Sequence, residues 1–200
     1  MMKTTGIIMA GGKSSRMGTN KALLKIDGKT VIERIADELQ KCVDEIIVVT
    51  NHFDDYRFLG YPMVEDIYKE MGPMGGIHAG LLASTTEKNL VVACDMPFIS
   101  ADLGRFLLTQ LDNYQVVVPE IEDQFHPLFA GYKKELAPII EEALKENQLR
   151  IRYFFKQLKT KTIYLEDITK ENITFNHENV YNMNYPDDYE QAKNFVIKNT

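Results

Sequence analysis

The residues from Gly6 to Lys21 join an apolar entry, Gly6-Ile7-Ile8-Met9-Ala10, to a loop rich in glycine, hydroxyl and cationic side chains, Gly11-Gly12-Lys13-Ser14-Ser15-Arg16-Met17-Gly18-Thr19-Asn20-Lys21. Such a loop can hold phosphates, because glycines let the backbone approach an anion and present N–H groups to it, while Lys and Arg balance its charge. The ligand this chemistry points to is a nucleotide. Two familiar phosphate loops fail on spacing. Gly12-Lys13-Ser14 supplies the end of a Walker A motif, but its first glycine would fall on Ile7. A Gly-x-Gly-x-x-Gly fingerprint is absent as well, since Gly11 and Gly12 are adjacent and the next glycine is Gly18.

A second chemical position is Asp95, which ends the apolar run Leu90-Val91-Val92-Ala93-Cys94 and precedes Met96-Pro97-Phe98. A carboxylate at the mouth of a buried strand is costly to leave unpaired, and it is well placed to hold Mg²⁺ against phosphate oxygens. An N-cap or an ion-paired strand end is the structural alternative. Other polar residues sit where apolar runs stop. Asn51 can read a base or ribose through its amide, or simply form a turn. Val64-Glu65-Asp66 leaves two candidate carboxylates, and Gly72-Pro73-Met74-Gly75-Gly76-Ile77 follows them. His126 precedes Pro127, which favours extended backbone that can project the ring into a cleft. Asn182 and Asn184 lie in Asn182-Met183-Asn184-Tyr185-Pro186-Asp187-Asp188, ahead of a last helix.

The opening run resembles the Leu-Ala-Gly-Gly-x-Ser-x-Arg-Met-Gly-x-x-Lys signature of nucleotidyltransferases of the molybdenum cofactor guanylyltransferase type, with Met9 in place of Leu. Gly72–Ile77 is similar to that family's Gly-Pro-Leu-x-Gly-Ile segment, Asp95-Met96-Pro97-Phe98 to its Asp-x-Pro-Phe/Tyr motif, and His126-Pro127-Leu128-Phe129-Ala130 to its His/Gln-Pro-Leu-Phe-Ala segment. The Asn182–Asp188 stretch resembles Asn-x-Asn-Thr-Pro-Glu-Glu, with Tyr185 in place of Thr and Asp187-Asp188 in place of the two Glu. The resemblance spans nearly the whole chain. It implies transfer of GMP from GTP to molybdopterin, with or without molybdenum, and release of pyrophosphate. It further implies that Met9, Ala10, Gly11, Gly12, Lys21, Asn51, Asp66 and Asp95 bind the nucleotide, that Arg16, Lys21 and Asp95 act in catalysis, and that Asp95 is the Mg²⁺ ligand. His126, Asn182 and Asn184 would seat the acceptor. The same chemistry with CTP or with a sugar-phosphate acceptor remains open, because the opening loop is shared widely. A P-loop-like kinase is disfavoured by the spacing above, and a non-catalytic regulatory module by the presence of Asp95.

The elements that must position these residues alternate. Apolar, β-rich runs at Gly6–Ala10, Glu45–Thr50, Asn89–Cys94, Gln115–Pro119 and Thr162–Leu165, with a weaker one near Pro62–Glu65, are expected as strands. Amphipathic patterns predict helices over Val31–Cys42, behind a Thr30/Glu33 capping box, over Met74–Ala83, after Ser100, and over Ala137–Glu146 with Pro138 in its first turn. This alternation predicts an α/β fold with an open, mostly parallel sheet covered by helices on both faces, in one domain over residues 1–200. In such a sheet the ligand lies beyond the carboxyl ends of the strands, where the opening loop, Asn51, Asp66 and Asp95 fall, while His126, Asn182 and Asn184 come from later elements.

Composition fits that reading. The net charge of −6 argues against a broad nucleic-acid face. No apolar run approaches the roughly eighteen residues that suggest a membrane span. Two cysteines, Cys42 and Cys94, give neither a disulfide framework nor a thiolate zinc site, and a cytoplasmic setting is expected. GTP and molybdopterin are then the partners, with contact to other molybdenum cofactor biosynthesis or delivery proteins.

Overall fold

A computed structural model describes residues 3–11 and 19–198. In chain order the strands are β1 (Thr4–Met9), β2 (Lys25–Ile26), β3 (Lys29–Thr30), β4 (Glu45–Val49), β5 (Met63–Val64), β6 (Lys88–Ala93), β7 (Val116–Ile121), β8 (Gln124–Phe125), β9 (Phe129–Lys133) and β10 (Thr160–Ile163). The helices are α1 (Val31–Leu39), α2 (Phe53–Tyr56), α3 (Gly72–Ala83), α4 (Ala101–Gln110), α5 (Leu136–Lys145), α6 (Ile151–Phe155), α7 (Leu165–Lys170) and α8 (Pro186–Lys198). Short 3-10 turns occur at Lys21–Leu23, Arg57–Leu59 and His177–Val180.

The main sheet runs β10-β7-β9-β6-β1-β4-β5, with β8 paired to β7. All neighbours along this path are parallel except at β9, which is antiparallel to both β6 and β7. The open, mostly parallel sheet expected from the sequence is therefore present, with one reversed strand. Its side chains alternate between two helix layers, as the pleat requires. Ile8, Leu90, Val92 and Val117 face α1, α4 and the C-terminal segment. Ile7, Val91, Val116 and Val118 face α3, α5 and α6.

Local chemistry accounts for most element boundaries. Helix α1 begins at the predicted capping box, with the Glu33 N–H donating to Thr30 Oγ1 and the Thr30 N–H to Glu33 Oε2. It stops at Leu39, short of the expected Cys42. There the chain tightens, the Cys42 and Val43 N–H groups both donate to the Leu39 carbonyl, and the Asp44 N–H is delivered to Thr4 at the sheet. The strand expected at Thr162–Leu165 lies earlier, at Thr160–Ile163, because Asp167 accepts from the Tyr164 N–H and Leu165 opens α7. Strand β7 continues through Pro119 to Ile121. Pairing with β9 ends at Val117, so the missing proline N–H interrupts no bond on that side. Helix α3 is buried from Met74 to Leu81 and shows no polar face. A Cβ at Gly76 would collide with Met9 Cε, and one at Gly80 with Ile7 Cγ2, so these glycines let the helix backbone lie directly on β1.

Two hairpins use two-residue turns in which both residues have positive φ, as type I′ geometry requires. Asp27-Gly28 joins β2 to β3 with φ of 51° and 79°, the pairing such a turn prefers. Glu122-Asp123 joins β7 to β8 with φ of 51° and 61°, and neither residue is glycine. A side chain in this conformation costs about 1 kcal/mol or more. Asp123→Gly is accordingly expected to stabilise the protein by about 0.5–1 kcal/mol. Chemical denaturation checks this; a lowered midpoint at unchanged slope would show that the turn is not strained.

Candidate functional site

The sheet's order reverses at β1. The chain passes from β1 outward to β4 and β5, then returns to place β6 on the other side of β1. A crevice opens beyond the strand ends at such a switch point. The Cys94 N–H donates to the Met9 carbonyl at 3.1 Å, which extends the β1–β6 pairing to the last residue before Asp95. The end of β1 and Asp95 after β6 are thereby held at the same mouth. Gly12 and Arg16, two of the expected loop residues, lie outside the described residues.

Asp95 is the least comfortable group in this crevice. Its Oδ1 is buried with no hydrogen-bond partner among the described residues, and burial pushes its carboxyl above the usual carboxylate range. The opposing influence is Lys21, whose Nζ lies 3.7 Å from Asp95 Oδ2. Lys21 is placed by a 3-10 turn that Asn20 caps, its side chain accepting from the Ala22 N–H at 3.2 Å and donating to Tyr56 Oη at 2.9 Å. The Lys21 ammonium also donates to Asn184 Oδ1 at 3.0 Å. Residues 163 positions apart thus share one lysine.

The C-terminal segment reaches Asp95 through its backbone. The Met183 N–H donates to the Asp95 carbonyl at 2.9 Å, and Met183 is fully buried. On either side of the buried Met183, Asn182 and Asn184 are partly exposed, and it is Asn184 that reaches Lys21. Asp188 fixes the end of the segment by accepting from the Asn184 and Tyr185 N–H groups, at 2.7 and 2.8 Å. Asn184 is therefore part of the start of α8 and a partner of Lys21 at once. Asn182 Nδ2 turns back to the Val180 carbonyl at 3.2 Å.

On the other side of β1, Asn51 Oδ1 accepts from the Asp66 N–H at 3.2 Å, tying the ends of β4 and β5 together. The two neighbouring carboxylates separate clearly. Glu65 is exposed and paired with Lys69 at 2.6 Å, whereas Asp66 lies against the first turn of α3. A Cβ at Gly75 would come within 2.9 Å of Asp66 Oδ1 and 2.7 Å of the Tyr68 carbonyl. Burial raises the Asp66 carboxyl, and the Tyr68 N–H donating to Oδ1 at 2.9 Å works against that rise. The Met9 side chain packs against Gly76, and the Ala10 N–H is taken by the Val49 carbonyl, so both residues are engaged in the fold. Gly11 is exposed at the rim.

His126 arrives by way of the reversed strand. Because β9 runs against β6, its beginning lies at the edge where the parallel strands end, and the Leu128 carbonyl accepts from the Ala93 N–H. His126 is 5% exposed, its Nε2 has no partner among the described residues, and burial lowers its imidazole below the usual range. It is a neutral ring at neutral pH.

Sequence reading did not single out Asn20, Asp188, Glu122 or His177, the first two of which hold Lys21 and Asn184 in place. Asn20 carries the signal of a cap residue before a short helical turn; the others carry none that local pattern could show. Among the described residues no three His, Cys, Asp or Glu side chains gather closely enough to hold a metal ion by themselves, and no helix is long and apolar enough to cross a membrane.

Comparison with known proteins gives the family and the fold. The model of the MobA-like NTP transferase domain matches residues 6–162. A protein of Carboxydothermus hydrogenoformans named "Probable molybdenum cofactor guanylyltransferase" is 37% identical over 99% of this chain and 100% of its own length. One of the same name from Clostridium perfringens is 37% identical over 95% of this chain and 96% of its own. Among solved structures, the Molybdopterin-guanine dinucleotide biosynthesis protein A of Archaeoglobus fulgidus superposes with a TM-score of 0.81, covering 97% of this chain and 99% of that one at 22% identity, a likeness of fold.

Proposed function

The chain belongs to the MobA-like NTP transferase family, and from that premise we propose that it transfers GMP from GTP to the terminal phosphate of molybdopterin, with release of pyrophosphate, in molybdenum cofactor biosynthesis. It is a nucleotidyltransferase. The observation that carries the reading is Asp95 at the switch point, with a buried Oδ1 that has no partner among the described residues and Lys21 as its counter-charge.

The donor set fits Mg²⁺. A hard divalent ion is commonly held by one or two carboxylates and completed by substrate phosphates and water, and Asp95 Oδ1 offers one such oxygen where no donor among the described residues satisfies it. When bound there, the ion would supply neutralisation of the charge on the α-phosphate. The chain's own residues do the rest. Lys21, anchored to Asn184, holds a fixed positive charge beside Asp95 for the phosphates of the nucleotide. Arg16, from the loop, adds a second cation for the leaving pyrophosphate. Asn51 and Asp66, joined by their hydrogen bond, bind the nucleoside end, while Gly11 and Gly12 admit the phosphates to the backbone. His126, Asn182 and Asn184 seat the acceptor so that its phosphate lies in line with the α-phosphorus. An acceptor phosphate is already ionised, so no general base is required.

Pyrophosphate release measured with each of the four ribonucleoside triphosphates, with and without molybdopterin, tests the reading. Release is expected only with GTP and molybdopterin together in the presence of Mg²⁺. Equal turnover with CTP, or release driven by a sugar phosphate, would replace it.

A further inference from the structure

A cleft of roughly 850 Å³ lies between the β7–β8 turn and the segment that leads into α8. Its walls include the rings of Phe175, Tyr181 and Tyr185 and the side chains of Glu122, His177 and Asn182. Asn184 also lines it, and Asn184 Oδ1 accepts from the Lys21 ammonium that stands beside Asp95, so the cleft adjoins the reacting centre through this one residue. An occupant with one end at the reacting centre can therefore rest its body here.

Three properties define that occupant. The walls are aromatic and set in place: the Tyr181 hydroxyl donates to the Asp188 carbonyl at 3.0 Å, and its ring meets Phe195 edge-on at 5.1 Å. Such walls suit a flat, conjugated ring. The charged side chains facing the cleft include Glu122, Glu178 and Asp188, and among the described residues its lining holds no Lys or Arg. That lining selects for N–H donors and repels a polyphosphate. Finally, Glu122 is held at the rim by the strained Glu122-Asp123 turn and by His177, whose Nδ1 is 3.0 Å from Glu122 Oε1. Strained backbone of this kind persists where the surroundings fix it, and it gathers at ligand clamps.

We propose that this cleft seats the fused ring of the acceptor, with Glu122 accepting from the adjacent ring N–H and exocyclic amino group of its 2-amino-4-oxopyrimidine edge. The proposal rests on the function given above, since that function supplies a pterin as the acceptor's body. Guanine presents the same pair of donors, so the chemistry has two sources. The acidic lining and the position of the cleft favour the pterin: the elements assigned to the nucleotide, around Asn51 and Asp66, lie across β1 from the β7–β8 turn.

Glu122→Gln places an amide, half donor, against two donors. Expected results are a rise of at least tenfold in KM for molybdopterin, with KM for GTP and kcat each within twofold, and a matching loss in the affinity of free pterin followed by its own fluorescence. A variant that raises KM for GTP instead would assign the cleft to the base and overturn the proposal, as would unchanged constants for both substrates. If the wild-type protein does not turn over molybdopterin at all, the proposed function fails. The pterin titration then still decides the cleft, and equal or absent binding by wild type and variant counts against it. Glu122 stands on an exposed turn, and circular dichroism confirms that the variant is folded.

Discussion

Replacing Asp95 by Asn is expected to lower nucleotidyl transfer by at least about a hundredfold, the loss typical when an electrostatic stabiliser of the transition state is removed, while the fold becomes no less stable. The two halves of this expectation have one cause. Burial raises the Asp95 carboxyl, and Oδ1 has no partner among the described residues. A carboxyl raised in the folded state favours folding while it is protonated, and that advantage disappears as pH rises through its folded value. At neutral pH the ionised group therefore works against the fold, and the neutral amide removes the penalty. Pyrophosphate release and thermal unfolding at pH 7, measured on the same preparation, check both parts. Transfer that survives in Asp95→Asn with unchanged Mg²⁺ dependence would remove Asp95 from the mechanism.

Lys21→Ala carries the second large effect, with the opposite consequence for stability. Its ammonium is the counter-charge of Asp95 and the donor to Asn184, and its side chain is only 14% exposed. Removing one partner of a sheltered pair leaves the other charge uncompensated, at a cost of about 1–3 kcal/mol for a pair with this partial access to water. Activity should fall by about 10²–10³ in kcat/KM for GTP, because the variant loses a fixed cation at the phosphates. The double variant Lys21→Ala/Asp95→Asn should recover most of the lost stability and none of the activity. Additive losses of stability in the double variant would show that the two side chains are not coupled.

The contrast between these residues also marks how far the sequence can be read. Asp95 is legible because burial and polarity conflict within a few residues: five apolar positions lead straight to a carboxylate. The strands β1, β4 and β6 are legible for the same local reason, and the Asp27-Gly28 hairpin announces itself by turn chemistry. Helix α1 shows its capping box in the letters, although its last turn depends on the tertiary bond from Asp44 to Thr4. Strand β9 is different. Phe129–Lys133 reads only as part of a motif, and nothing in a short apolar run states that it pairs backwards between two parallel strands. The difference between Glu65 and Asp66 also shows only in three dimensions, since what separates their surroundings is Lys69 on one side and Gly75 on the other. The cleft at Glu122 and His177 brings together residues 55 positions apart by number whose types, taken singly, are those of any surface. The contact of Lys21 with Asn184 divides the sequence assignments most sharply. One residue was expected at the nucleotide and the other at the acceptor, and a single hydrogen bond joins them.

The reversed strand also sets an order of assembly. Strands β1, β4, β5 and β6 are all complete by Ala93 and pair side by side, so a growing chain can close this half of the sheet while β9 is still unmade. Within the sheet, the later half joins along one seam, β6 against β9. Asp95 follows the last strand of the early half, and Asn184 is supplied near the end of synthesis. A nascent chain therefore carries Lys21 and Asp95 long before it carries the amide that anchors the lysine, and the finished centre marks the docking of the two halves.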